Sequence, residues 1–260
     1  MFRWINRAMK PFRFPRPGID FRRTRRECVR IGTEYGGWWF EPSADLDGAL
    51  VVSAGAGEDI SFDVGIAAEY GAQVLIIDPT PRAVTHVTSV LKRIGQGAVV
   101  PFEAGGKQPV NAYDLKNVQA GQIRLLPVAL WNEDRDLIFH PQLDASHVSH
   151  SVDDWRRELG ADAPPPIQVP GRKLSTLLDP EELVRLAILK LDIEGAEIET
   201  LDDIIRAGIR PRQILVEFDQ LSRPTRHHRE RTRQALRALS SAGYGLTRRD
   251  RLNFSFCRIS

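Results

Sequence analysis

Apolar residues fall along this chain in short unbroken runs, and between those runs they recur at helical spacing. That alternation predicts strands buried on both faces with helices between them. "ALVVSAG" reads as a buried strand, and the segment after it sets Phe62, Ile66, Ala67 and Tyr70 on one helix face, with Asp59 or Ser61 as its cap. "AQVLIIDPTP" is a second apolar strand, closed by Asp78 and two prolines, and "PRAVTHVTSVLKRIG" is a helix ending at Gly95. "GQIRLLPVAL" is strand-like, and "RDLIFHPQ" is a shorter strand beside it. "GADAPPPIQVPGRK" is expected to be a proline-rich loop joining two halves of one domain. "LAILKLDIEGAEIETLDDIIRAG" gives strand, turn and helix, and "RQILVEFDQ" gives another strand. "RHHRERTRQALRALSSAGYGL" gives a helix closed by Gly243, and "LNFSFCRIS" a final alternating strand. The predicted class is α/β, a doubly wound and mostly parallel sheet with helices on both faces, over residues 31–260.

Charge changes this picture at one end. The net charge of +2 conceals a balance of +8 in residues 1–30, so the remainder of the chain is acidic. Residues 1–30 are expected to form a basic arm, with Phe2, Trp4, Phe12 and Phe14 among its cations and three prolines that prevent a long helix. Such an arm suits an anionic membrane surface or a nucleic acid, or is simply solvated. No apolar run approaches the roughly eighteen residues of a membrane span, and the first residues are too broken by charge for a secretion signal. Two distant cysteines, Cys28 and Cys257, give neither a disulfide framework nor a metal-ligand spacing, so a cytoplasmic, reducing location is expected, with peripheral membrane contact through the arm.

In a doubly wound sheet, ligands bind outside the carboxyl ends of the strands, where the winding reverses. The residues just past the strands are therefore the candidates. The turn in "SAGAGEDISFD" has Gly55 and Gly57, but Ile60 stands where a dinucleotide turn needs its third glycine, and Glu58 and Asp59 bring two negative charges to its mouth. A pyrophosphate is disfavoured there and a cationic ligand is not. Asp78 lies about twenty residues beyond, where a carboxylate accepts from ribose hydroxyls. A nucleoside with a positively charged appendage and no phosphate meets all three conditions, and S-adenosylmethionine is such a molecule.

"VVSAGAGEDISFDVGIAAEYGAQVLIIDPTP" together with "LAILKLDIEGAEIETL" resembles the FkbM family of S-adenosylmethionine-dependent methyltransferases, and "YGGWW", "HVSHS" and "AGYGL…NFSF" resemble its flanking segments. The resemblance implies a Rossmann-like class I methyltransferase fold with a reversed last strand. It also implies O-methylation of a hydroxyl on a sugar, glycan or natural product. It places Ser53 at the position where an acid is common in the broader class. It assigns Ser53, Gly55, Gly57, Asp59, Asp78 and Thr80 to the cofactor, with Leu130 or Trp131 as an adenine wall.

An alcohol becomes a useful nucleophile only as its proton is accepted, so a base or a metal is wanted. "KLDIEGAE" supplies Asp192 and Glu194, on one face with Lys190 if the strand continues that far. Glu197 falls in the first turn of the next helix, where the helix dipole favours an acid, and is read as structural. "HPQLDASHVSHS" supplies His147 as a substrate contact and His150 as a base or a substrate contact. Glu217 and Asp219 are candidates for orienting an acceptor hydroxyl, or for holding a divalent ion with Asp192. The acceptor is expected to be a small molecule or glycan. An RNA methyltransferase and a non-catalytic docking module are the alternatives, the first disfavoured by the acidic body and the lack of an N-P-P-Y-like turn.

Overall fold

The computed structural model describes residues 27–141, 150–151, 165–222 and 225–259. The basic arm as far as residue 26 and His147 lie outside the described residues. The chain opens with a two-stranded antiparallel ribbon, β1 (Val29–Ile31) and β2 (Trp38–Phe40). Then come β3 (Leu50–Ala54), α1 (Ser61–Tyr70), β4 (Gln73–Ile77), α2 (Pro81–Leu91) and β5 (Ile123–Leu126). A second set follows: β6 (Ala129–Leu130), β7 (Arg135–Pro141), β8 (His150–Ser151) and β9 (Ile167–Arg172). Two short helices, α3 (Leu174–Leu177) and α4 (Pro180–Arg185), lead into β10 (Leu186–Leu191), α5 (Glu197–Arg206), β11 (Gln213–Glu217), α6 (Arg226–Ser241), β12 (Tyr244–Asp250) and β13 (Asn253–Arg258).

Seven strands form the main sheet in the order β12-β13-β11-β10-β3-β4-β5, parallel from β11 to β5, with β13 alone reversed and β12 running again with the rest. The fold is the doubly wound, Rossmann-like arrangement read from the strand and helix alternation. Its central strands β3, β4, β10 and β11 are mostly apolar because both faces are covered. Val52, Ala54, Leu75 and Leu189 pack with α5 and α6 on one side, and Val51, Val74, Ile76 and Ile188 pack with α1 and α2 on the other. The winding reverses between β3 and β10, so the carboxyl ends Ala54 and Leu191, which are register partners, flank the crevice. No described helix is long and apolar enough to cross a membrane.

Four elements depart from the expected pattern. "GQIRLLPVAL" is not one strand: β5 stays in the main sheet, and after Pro127 the chain enters a separate sheet of order β6-β9-β7-β8. "IQVPGR" is strand β9 instead of loop, with Asp136 opposite Pro170. Helix α1 starts at Ser61 with Ile60 at its cap position, while the Asp59 carboxylate accepts from the Ser61 N–H at 3.0 Å. The last strand is half of a hairpin, since residues 244–250 also pair, as β12.

Candidate active site

Gly55 and Gly57 carry φ of +82° and +55°, left-handed values that glycine adopts without a Cβ penalty. At Gly55 no other residue fits, because a Cβ would overlap the backbone carbonyl of Asp192. At Gly57 nothing lies within 4 Å of that position, which leaves open space beside the turn.

Asp78 collars this turn. Its Oδ2 accepts from the N–H groups of Ala56 and Gly57 at 2.9 and 3.1 Å, and its Oδ1 accepts from Thr80 N–H and Thr80 Oγ1 at 2.8 and 2.7 Å. A carboxylate has about four acceptor directions, so all are in use. A ribose hydroxyl has to replace one of them, and the freely rotating Thr80 hydroxyl is the donor that can yield.

The two acids at the mouth are less available than their sequence position implied. Glu58 is ion-paired with Arg82 and lies 3.9 Å from Lys107 Nζ. Asp59 Oδ2 accepts from Thr33 Oγ1 at 2.6 Å and from Gln108 Nε2 at 3.3 Å. Asp59 therefore ties the turn to the loop before β2 and to the strap around Gln108. Ser53 is fully buried within β3 as the register partner of Lys190, beside Asp63 of α1, and does not line the cavity. Its expected place among the cofactor contacts is corrected accordingly: the strand period points it into the packed face.

On the other side of the crevice, β10 ends at Leu191, so the strand does not continue to Asp192 and Glu194 and the two do not share a strand face. Glu194 stands in the turn before α5 with φ +53°, a conformation that costs a non-glycine residue on the order of 1 kcal/mol. Lys190 does pair with Asp192, at 3.6 Å, and its Nζ donates to the Gly55 carbonyl at 2.6 Å. This nearly buried lysine joins the two sides of the crevice. Glu217 ends the neighbouring strand β11. Burial, then the charge of Asp192 and a hydrogen bond to it, push the Glu217 carboxyl up to about 9, with Glu194 and Asp219 adding to the effect. At neutral pH Glu217 is therefore protonated beside Asp192.

Beneath the turn, Glu197 is completely buried. It accepts from the N–H groups of Ile193 and Gly195 at 3.1 and 3.0 Å and from Gln220 Nε2 at 3.0 Å. Burial pushes its carboxyl up to about 8. It holds the loop that carries Glu194 in shape, a larger part than its helix-start position had implied.

Gly55, Gly57, Asp59, Asp78, Thr80, Leu130, Trp131, Asp192, Glu194, Glu217 and Asp219 all line one cavity of about 1200 Å³. That exceeds the roughly 300–1,000 Å³ of a single small-molecule site, which leaves room for two ligands. Leu130 ends β6 and Trp131 follows it, with Leu137 and Phe139 of β7 also lining the cavity, so the apolar wall belongs to the small second sheet. Among the described residues no three His, Cys, Asp or Glu side chains are placed to hold a metal ion. His150 is described only through its backbone, opposite Pro141 in β8, and His147 not at all, so neither is located against the cavity. The cavity also recruits Trp39, and with it Tyr35 and the hairpin tip at Asp250–Asn253, of which the last two had not been assigned to the site from sequence. The aromatic run "YGGWW" was the one available signal.

The family model of the methyltransferase FkbM domain matches residues 32–246. Among solved structures the chain is similar to the aminoglycoside resistance methyltransferase NpmB1, at 11% identity over 88% of this chain and 100% of that one, with a TM-score of 0.35. No curated protein matches the chain.

Proposed function

Since the chain belongs to the FkbM methyltransferase family, we propose that it is an S-adenosylmethionine-dependent O-methyltransferase acting on a hydroxyl of a sugar, glycan or natural product. The observation that carries this reading is the meeting of the open glycine turn with the Asp192 and Glu217 carboxyls in one cavity. The donor set suits the cofactor: the turn leaves open space at Gly57, Asp78 has one exchangeable partner, and Leu130 and Trp131 offer an apolar wall. When bound, S-adenosylmethionine supplies an electrophilic methyl group.

The chain's own residues do the rest. Asp192 accepts the proton of the acceptor hydroxyl. Glu217, protonated, keeps Asp192 oriented by hydrogen bonding, and Lys190 holds it against the glycine turn. Glu194 and Asp219 orient further hydroxyls of the acceptor. Placing the hydroxyl in line is the larger part of the rate enhancement, and the packed turn around Glu197 provides that rigidity.

Calorimetric titration with S-adenosylmethionine, S-adenosylhomocysteine and NAD tests the reading. Micromolar binding of the two adenosyl ligands without NAD is expected. Asp78→Ala is expected to abolish that binding and Asp192→Ala to leave it unchanged. Binding of NAD alone, or unaltered adenosyl affinity in Asp78→Ala, refutes the assignment.

A further inference from the structure

The floor of the cavity is acidic, yet one stretch of its rim is basic. Four cations line the cavity: Arg30, Lys107, Lys190 and Arg251. Lys107 and Lys190 face Glu58 and Asp192 at 3.9 and 3.6 Å. Arg30 and Arg251, by contrast, have no carboxylate within ion-pair distance among the described residues. Arg30 is fixed in place by donating to the Glu34 carbonyl at 2.7 Å.

These two arginines belong to one construction. Arg30 is the register partner of Trp39 in the β1–β2 ribbon. The Trp39 indole N–H donates to Asp250 at 3.2 Å, at the tip of the β12–β13 hairpin that carries Arg251. That bond engages the carboxylate nearest Arg251 in sequence. The Arg248 guanidinium lies over the Trp39 ring at 4.2 Å, which further ties the hairpin to the ribbon.

Arg251 also holds an uncommon backbone. Its φ is +54°, and it shares with Glu194 the distinction of a left-handed non-glycine conformation among the described residues. A hairpin tip of two residues takes glycine or asparagine at such a position with less strain. The hairpin tip abuts the carboxylate floor. Asn253 is the register partner of Glu217, and the Leu252 carbonyl accepts from Phe218 N–H at 3.0 Å. Arg251 stands in the turn just past the Asp250–Asn253 pair, next to the strand end that holds Glu217.

We propose that the acceptor carries an anionic group, a carboxylate or phosphate, which Arg30 and Arg251 bind at the rim while its reacting hydroxyl lies at the Asp192 floor. The proposal rests on the methyltransferase reading above and adds to it the chemical class of the acceptor. Guanidinium groups suit both anions because their paired donors match two oxygens at once.

The test is titration of the protein, saturated with S-adenosylhomocysteine, with glucose, glucuronate, glucose 6-phosphate and inorganic phosphate. The charged sugars are expected to bind about tenfold tighter than glucose, with the better of the two naming the anion. Arg30→Ala and Arg251→Gly are each expected to bring the charged sugars down towards the glucose level. Arg251→Gly folds at least as well as the parent, since glycine suits φ +54°. Equal affinity for glucose and the charged sugars, no measurable binding of the charged sugars, inorganic phosphate binding as tightly as glucose 6-phosphate, or a preference that survives in the double variant overturns the proposal. The affinity for S-adenosylhomocysteine is recorded in the same samples. Its absence undermines the cofactor reading, whereas its presence without a charge preference removes this proposal alone.

Discussion

The proton that Glu217 holds beside Asp192 sets a rate profile. The Glu217 carboxyl is pushed up to about 9, so at neutral pH it is a hydrogen-bond donor and not a base. Above that value Glu217 loses its proton and becomes a further carboxylate able to accept the acceptor's hydroxyl proton. Turnover of the parent enzyme is therefore expected to rise as pH approaches about 9. Glu217→Gln keeps a hydrogen-bond donor without a titrating proton, so near neutrality it is expected to work within a few-fold of the parent and to lose the alkaline rise. Asp192→Asn is expected to lower turnover by about 10²–10⁴-fold across the whole range. A pH series of kcat for the three proteins decides the matter, and an alkaline limb retained in Glu217→Gln sinks the part given to the Glu217 proton. Asp192, Glu217 and Asp78 were legible from sequence because each stands just past an apolar run. Arg30 and Arg251 were not, since the contact that joins their elements, Trp39 with Asp250, spans 211 residues and depends on the hairpin.

At the scale of the element, the glycine turn and the end of β10 are a single joint. The Asp192 N–H donates to the Ala54 carbonyl at 3.0 Å, and the Asp192 carbonyl occupies the space a Cβ at Gly55 would need. Gly55→Ala must push the two strand ends apart and also adopt a positive φ, so a loss of about 3 kcal/mol is expected. Denaturant unfolding checks it, and an unchanged midpoint would show that the joint is slack. Gly57→Ala meets nothing nearby and costs only its backbone term, on the order of 1 kcal/mol, while crowding the ligand side of the turn. The run-and-spacing pattern gave the main-sheet strands other than β12, and the helices between them, because burial on both faces leaves little ambiguity. It failed at β9, whose prolines read as loop. Pro170 is tolerated because β6 covers only Gly171 and Arg172, which leaves β9 an edge at that residue. It failed again at the end of β10, since nothing in "LDIEG" announces that Glu194 turns left-handed.

For the molecule as a whole, buried carboxyls tie stability to pH. Glu197 and Glu217 take up protons at about 8 and 9 in the folded protein, against an ordinary value of 4.5. Between these limits the folded state holds more protons than the unfolded chain, so stability falls as pH rises from about 5 towards 9. His86 acts in the opposite sense at the acid end, since burial lowers its pKa and protonation on acidification favours the unfolded chain. The midpoint of urea unfolding is expected to be greatest near pH 6 and to decline towards pH 9, with Glu197→Gln flattening part of the decline. A parent midpoint that holds level over that range would mean that the two carboxyls are ionised and solvated in the fold. The two faces of the cavity differ in another way. Gly55, Asp78 and Asp192 are fixed by the seven-strand ladder, where a change of one residue disturbs every neighbour, whereas Leu130, Trp131, Leu137 and Phe139 sit on a four-strand sheet that shares no ladder with it. The wall is thus a replaceable panel. Its side chains can be exchanged, by drift or by an engineer, to admit differently shaped molecules while the methyl-transferring edge stays in register.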